Sequence, residues 1–180
     1  MHCALCSSPL SPATARPLAG LSVCDPCMAM SPDEPLASHG IAVDFRWQML
    51  RFGASLQIPG VPDDVTFSAR PERWTTAVAK LWVAEMEVGD ELFDRHIYLR
   101  TAGDSAGPLL ADEGVQSALL GLLSGTRQEL VPNHVTLHGT LLTVSVRPLV
   151  PMGEDGFLER QLLTAALALH VKQRFVPAAT

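Results

Sequence analysis

All four cysteines of the 180-residue chain lie in its first 27 positions, where they form two Cys-x-x-Cys pairs. The pairs are Cys3–Cys6 and Cys24–Cys27, with 17 residues between them. Each Cys-x-x-Cys turn directs two sulfurs at one ion, and two such turns complete a tetrahedron with no position open to a substrate. The spacing therefore predicts a structural zinc site with four ligands: Cys3, Cys6, Cys24 and Cys27.

The segment that carries these cysteines is too poor in large apolar residues to fold by burial alone. Residues 1–38 hold six of the 14 prolines, and segments below about 40 residues seldom fold without a metal, a disulfide or a partner. Zinc binding supplies roughly 10–16 kcal/mol of apparent free energy, which is enough to order such a segment. Residues 1–30 resemble a zinc ribbon or treble-clef knuckle, and this resemblance implies a structural Zn²⁺.

Three other uses of the cysteines compete with zinc. Two disulfides would suit a secreted chain, but no export signal opens this sequence. A thioredoxin-type redox pair requires a βαβ context that neither Cys-x-x-Cys has. An iron–sulfur cluster also accepts four thiolates, so spacing alone leaves zinc and iron–sulfur both open. His2 adjoins a ligand, and we interpret it as a solvent-facing residue.

The charge of the chain disfavours nucleic acid as a partner. The sequence has 13 Lys and Arg against 19 Asp and Glu, for a formal net charge of −6. Within residues 1–38, Arg16 is the only Lys or Arg, whereas a phosphate-binding surface clusters such residues. We also find no run of about 20 apolar residues. The sequence therefore predicts a cytoplasmic protein without a membrane span.

Beyond the cysteines, the sequence predicts an α+β domain. We divide the chain into a zinc-binding module (residues 1–30), a linker (residues 31–38) and an α+β domain (residues 39–180). Alternating apolar residues predict strands, and apolar residues at helical spacing predict two or three helices. The predicted elements are strands over 41–49, 52–58, 65–69 and 95–101, a helix over 112–125, a hairpin over Val135–Val146, and a final helix starting near Glu154. Strands and helices in this order are typical of a largely antiparallel sheet.

One stretch of the body has a Gly-Asp-x-x-Phe-Asp element, Gly89-Asp-Glu-Leu-Phe-Asp94, ahead of a strand. It resembles a module of uncharacterised bacterial proteins, many of them membrane-associated, over about residues 80–175. The resemblance implies a bacterial protein and brings no known activity.

The segment Gly103-Asp-Ser-Ala-Gly107 matches the Gly-x-Ser-x-Gly nucleophile elbow and also resembles the Gly-Asp-Ser-Gly-Gly segment of chymotrypsin-like proteases. In this alternative, Ser105 is the nucleophile of a serine hydrolase. The candidate bases and orienting carboxylates are His134, His138, His170, Asp112 and Asp155. We favour a surface loop with Pro108 near the start of a short helix, because Gly, Ser and Asp are common in turns.

Two further groups of side chains invite a functional interpretation. Asp94, His96, His134 and His138 offer a second set of metal-ligand types, but nothing in the sequence brings Asp94 to the histidines. We expect Asp90 and Asp94 to cap a turn or accept from backbone amides. We expect Trp47, Trp74 and Trp82 to pack in the core rather than line a pocket.

The sequence thus favours a non-catalytic zinc-binding protein that acts as a protein-interaction or regulatory module. The alternatives are a serine hydrolase based on Ser105 and a nucleic-acid-binding zinc ribbon, the latter disfavoured by charge. The partner and the oligomeric state do not follow from the sequence.

Overall fold

The chain folds as an α+β protein, as predicted. The computed structural model describes residues 1–48, 50–72, 86–126, 133–149 and 153–176. In these ranges the structure contains a two-stranded sheet, a six-stranded antiparallel sheet and six α-helices. Residues 73–85, which include Trp74 and Trp82, lie outside the described residues.

Eight strands form the two sheets. Their bounds are β1 Ala15–Leu18, β2 Leu21–Cys24, β3 Ala42–Gln48, β4 Arg51–Gln57, β5 Thr66–Pro71, β6 Ile97–Thr101, β7 His134–His138 and β8 Leu141–Val146. Strands β1 and β2 pair with each other, and the order of the large sheet is β3-β4-β8-β7-β5-β6. Every pairing is antiparallel. The predicted hairpin at His138 is confirmed as β7 and β8.

Period-two alternation gives the large sheet one buried face. Along β4, Phe52, Ala54 and Leu56 are buried, while the residues between them are half-buried or exposed. Because side chains alternate between faces of a strand, the buried set covers one side of the sheet. That side packs against the two long helices and forms the core.

The helices are mostly short, apart from two that cover the sheet. Their bounds are α1 Asp25–Ala29, α2 Asp33–Ser38, α3 Glu91–His96, α4 Gly107–Leu110, α5 Glu113–Leu123 and α6 Glu154–Phe175. The predicted helix over 112–125 is confirmed as α5, which begins where the Asp112 carboxylate accepts from the Val115 amide at 3.0 Å. Such an N-cap satisfies an amide that has no partner within the helix.

Two local predictions differ from the structure. Residues 31–38 were expected to lack regular structure, but Asp33–Ser38 form α2. Pro35 lies in the first turn, where its missing amide hydrogen costs no helical hydrogen bond, and Leu36 is fully buried. The strand expected from Arg95 begins at Ile97 instead, because Arg95 and His96 complete α3.

The N-terminal hairpin rests on the helices of the body. Its turn consists of Ala19 and Gly20, both at positive φ, which is typical of the type I′ turn that matches strand twist. A Cβ placed on Gly121 of α5 would lie 2.6 Å from the Ala19 Cβ. The glycine therefore leaves the space that the turn occupies, and buried residues of both regions form one continuous cluster.

A hydrogen bond adds to this contact between the two regions: Gln173 Nε2 of α6 donates to Ser7 Oγ at 3.2 Å. Within the body, the Lys172 ammonium donates to the His39 carbonyl. The boundaries of the predicted domains stay a prediction. In the described part of the chain, no helix is both long enough and apolar enough to span a membrane.

Candidate metal centre

The four cysteines converge from two separate turns. Cys3 and Cys6 flank a turn at the start of the chain. Cys24 is the last residue of β2 and the N-cap residue of α1, and Cys27 lies within that helix. The β1–β2 hairpin therefore returns the chain to its first turn, which brings the two pairs together.

The geometry of the sulfurs fits a single metal ion. All four Sγ atoms lie within 4.8 Å of one another, and Cys6 Sγ is 3.8 Å from Cys24 Sγ. Sulfurs on a tetrahedron with metal–sulfur bonds of about 2.3 Å are separated by about 3.8 Å. The four cysteines are therefore placed to hold one metal ion.

The four cysteines are buried to different degrees. Cys3 and Cys27 are buried, at 2% and 3% exposure, whereas Cys6 is exposed and Cys24 is half-buried. Cys3 and Cys27 belong to the core cluster, Cys24 packs against it, and Cys6 is the exposed member of the four. An ion bound here would be shielded by protein on one side and approached by solvent on the other.

The thiols are electrostatically unequal. Burial raises the pKa of Cys24 and of Cys27, and contacts with neighbouring thiols raise the pKa of Cys27 further. Burial also acts to raise the pKa of Cys6, but hydrogen bonds from Ser8 and the neighbouring thiols outweigh it and lower the pKa to about 6. Four close thiolates repel each other, and a divalent cation among them removes that penalty.

The alternatives for the cysteines find less support in this geometry. The cysteines are free thiols, and the 3.8 Å between Cys6 and Cys24 sulfurs is far longer than the disulfide bond of about 2.05 Å. The pair Cys24–Cys27 does lie where a strand meets a helix. However, β2 pairs antiparallel with β1, so the pair lacks the βαβ context of a thioredoxin-type site.

The structure does not assemble a nucleophile elbow around Ser105. Residues Asp104–Ala106 form one turn of 3₁₀-helix followed by α4, so the predicted loop with Pro108 near a helix start is confirmed. The Ser105 hydroxyl donates to the Asp64 carbonyl at 3.0 Å. Among the described residues, none of the three candidate histidines is hydrogen-bonded to it.

His170 and Asp112, two of the residues named for that triad, do meet elsewhere. His170 Nδ1 lies 3.2 Å from Asp112 Oδ1, and the imidazole packs against Gly114 so closely that a Cβ there would be 2.2 Å from it. His170 lines a cleft of about 280 Å³ between the N-terminal segment and α5. The pair connects the start of α5 to α6.

The second proposed metal set is not assembled. Within the described ranges, the four cysteines are the one group of ligand-type residues close enough to share an ion. Asp94 accepts from the Val88 and Gly89 amides, both at 3.0 Å, and Asp90 accepts from the Phe93 amide at 2.8 Å. The expectation that Asp90 and Asp94 bind backbone amides is confirmed.

Trp47 packs at the margin of the core, edge-on to Phe157 with ring centroids 5.9 Å apart, and is 37% exposed. Its expected core position is therefore only partly met.

Sequence reasoning missed a groove beside the hairpin turn. Its volume is about 640 Å³, and it lies between the Ala19–Gly20 turn, α3 and α5. Leu92 of α3 is 60% exposed at this groove. Arg160 closes one end, where its guanidinium donates to the carbonyls of Gly121 and Leu122 at the end of α5. The Ala-Gly pair between two short strands is a sequence signal for a turn. The sequence does not indicate which part of the fold that turn contacts.

Comparison with known proteins found no match: no family model, no curated protein and no solved structure matches the chain.

Proposed function

We propose that this protein is a non-catalytic zinc-binding protein whose metal module orders part of a docking surface for another protein. The observation that carries the proposal is the convergence of four sulfurs within 4.8 Å of one another. Four protein ligands fill a tetrahedral ion completely, which leaves no position for substrate and makes the role structural.

Zinc is favoured over the other ions that thiolates bind. A cluster with several irons is larger than one ion, whereas the sulfurs surround a space suited to a single centre. The order of elements, a Cys-x-x-Cys turn, a hairpin and a second Cys-x-x-Cys at a helix start, supports the likeness to a treble-clef or zinc-ribbon module over residues 1–30. A single iron in the same tetrahedron is the alternative that metal analysis must exclude.

The metal connects to docking through the β1–β2 hairpin. Leu21 and Val23 of β2 are buried, and Cys24 ends that strand. A metal that fixes Cys24 therefore fixes the hairpin, and the turn at its other end forms one wall of the 640 Å³ groove. The apolar side chains that line this concave surface, Ala19, Leu92 and Leu120, offer a place for an apolar group of a partner. We infer that this groove receives an apolar side chain of the partner.

A catalytic role has less support from the arrangement of side chains. The hydroxyl of Ser105 is engaged by a backbone carbonyl, and Asp112 and His170 bind each other at the junction of two helices. A nucleophile requires its base within hydrogen-bond reach. The acidic charge of the chain likewise disfavours nucleic acid.

The metal part of the proposal is tested by elemental analysis of reduced protein. We expect one equivalent of zinc per chain, and replacement by Co²⁺ should give the visible absorption of a tetrahedral thiolate site. Cys3→Ser should lose the metal, and His2→Ala, which changes the exposed neighbour, should retain it. Stoichiometric iron, or no metal at all, contradicts the assignment.

The docking part is tested with a photo-crosslinking amino acid placed in the full chain. Leu92 is the test position and Leu149, which is equally exposed at 60%, is the control. We expect crosslinks to one defined protein from Leu92 that disappear in Cys3→Ser, and none to that protein from Leu149. Equal crosslinking at both positions, or crosslinking indifferent to metal, would refute the docking role. Labelling of Ser105 by a fluorophosphonate would instead support the hydrolase.

A further inference from the structure

A second concave surface lies on the large sheet, on the face opposite the helices. It is a groove of about 440 Å³ where β6, β5 and β7 run side by side. Its described lining includes Arg70, Arg100 and His138, all exposed, together with hydroxyl-bearing side chains. None of these lining residues carries a carboxylate.

The two arginines of this groove differ from most others in the described part of the chain. Three exposed arginines elsewhere are each paired with a carboxylate: Arg16 with Asp25, Arg46 with Asp44 and Arg95 with Glu91. Within the same described residues, Arg70 and Arg100 have neither an ion pair nor a hydrogen bond. In a chain with a net charge of −6, two adjacent guanidinium groups without a carboxylate form a local positive site.

Strand register places these groups next to each other. Arg100 lies directly opposite Ser68, and Ser68 lies directly opposite Thr136, so one row crosses three strands. Thr66 and His138 form the next row. Arg70 is two residues from Ser68 on the same strand, which makes it the diagonal neighbour of Arg100, at about 7–8 Å between backbones.

One hydroxyl in this groove has no partner. Thr66 Oγ1 is buried and makes no hydrogen bond. A buried polar atom without a partner is destabilising, and such an atom calls for an explanation, often a bound water or ion. Thr66 lies opposite His138, in the row next to that of Arg100, so this unpaired hydroxyl lies at the floor of the groove.

We propose that this groove is a binding site for a small molecule that carries a phosphate monoester. Guanidinium groups bind phosphate oxygens bidentately, and neighbouring hydroxyls donate to the remaining oxygens. The volume falls in the range of sites for small organic ligands rather than for a bare ion. This site is independent of the metal centre and of the proposed docking groove.

The dianionic ester is favoured over other anions by the composition of the groove. A carboxylate offers two oxygens and one charge, which would leave one guanidinium and most hydroxyls without an acceptor. Single-stranded nucleic acid is bound by grooves that combine positive charge with exposed aromatic rings. The aromatic residue in the described lining is Phe67, and it is buried on the other face.

The test is titration of the full zinc-loaded chain with glycerol phosphate and with inorganic phosphate. Amide NMR shifts and calorimetry measure the binding. We expect saturable binding with shifts at Ser68 and Thr136. Arg100→Gln and Arg70→Gln should each weaken binding about 10-fold or more, since each removes a charge-assisted contact. Arg174→Gln is the matched control, because Arg174 is also exposed and, among the described residues, without an ion pair.

Three outcomes overturn the proposal. The first is no saturable shift up to about 10 mM ligand. The second is equal weakening by Arg174→Gln, which would show a general charge effect. The third is tighter binding of a dicarboxylate or a single-stranded oligonucleotide than of glycerol phosphate, which would assign the groove to another class. If one arginine variant fails to fold, the other variant and the wild-type shifts at Ser68 and Thr136 still decide the question.

Discussion

The metal module and the sheet-and-helix body are stabilised by different physical means. The buried side chains of residues 1–30 are few: Cys3, Leu5, Leu18, Leu21, Val23 and Cys27. Two of these six are ligands of the candidate metal site, whereas the body buries apolar residues from five strands and two long helices. A short segment depends on a bound metal for its order, whereas a larger domain is ordered by the apolar surface area that it buries.

The two regions also treat buried polar atoms differently. In the body, the buried amides of Gln116 and Asn133 and the hydroxyl of Thr164 bind backbone groups at 2.9, 2.6 and 2.7 Å. In the module, the crowded groups are the four sulfurs, and the proposed cation would take the place of such hydrogen bonds. The body thus satisfies these three groups with its own backbone, whereas we expect the module to depend on an ion.

Loss of a metal ligand should produce the largest difference in stability between the metal module and the body. Cys27→Ser removes a buried ligand, and because metal binding contributes on the order of 10 kcal/mol to such modules, we expect the β1–β2 hairpin to lose its structure. Hydrogen exchange should show loss of protection over residues 15–24, with the protection of β4, β7 and β8 retained. His2→Ala is the control. A protected hairpin without metal would remove the distinction between the regions.

Loss of core volume should produce the opposite pattern. Leu119 of α5 is fully buried, so Leu119→Ala should lower the free energy of unfolding by about 2–5 kcal/mol. The protein should keep its metal, as measured by elemental analysis of the folded fraction, while urea unfolding shifts to lower concentration. Leu149→Ala, at an exposed position, should change stability by less than about 0.5 kcal/mol. Metal loss that tracks the core defect would show that the regions fold as one unit.

Acidification should weaken the module before the body. The raised pKa values of Cys24 and Cys27 mean that both thiols are protonated at neutral pH without a metal. Metal binding must release those protons, so the apparent affinity should fall by up to about 100-fold for each unit that pH decreases. Chelator competition between pH 8 and pH 6 measures this slope. Among the described residues, no buried residue of the body is a carboxylate or histidine, and we expect its urea midpoint to change much less.

A change at the contact between the regions should have the smallest effect. Gly121→Ala places a methyl group 2.6 Å from the Ala19 Cβ, which should cost about 1–3 kcal/mol through overpacking, less the gain in helix propensity. Gly153→Ala is the control, because nothing lies within 4 Å of a Cβ there. Thermal unfolding of both variants, with and without chelator, measures the coupling. A Gly121→Ala penalty that is the same without metal would show that the hairpin stays docked in the absence of the ion.

Local chemistry carried most of the predictions that the structure confirms. The cysteine quartet was predictable because ligand type and spacing are sequence properties. The alternation of β4, the hairpin at His138 and the cap at Asp112 were also predictable, because they depend on residues a few positions apart. The errors came where tertiary burial changed a local preference. Leu36, fully buried, accompanies a helix that its proline-rich surroundings did not predict.

The sequence by itself determined the cysteine cluster, the α+β class and most element positions, since each follows from periodicity or from a short motif. Only the tertiary structure decided the strand order and the packing of the hairpin turn against Gly121. It also decided the row of Arg100, Ser68 and Thr136, which are contributed by three strands. These features depend on which distant segments pair, and pairing is set by how the whole core packs rather than by any local pattern.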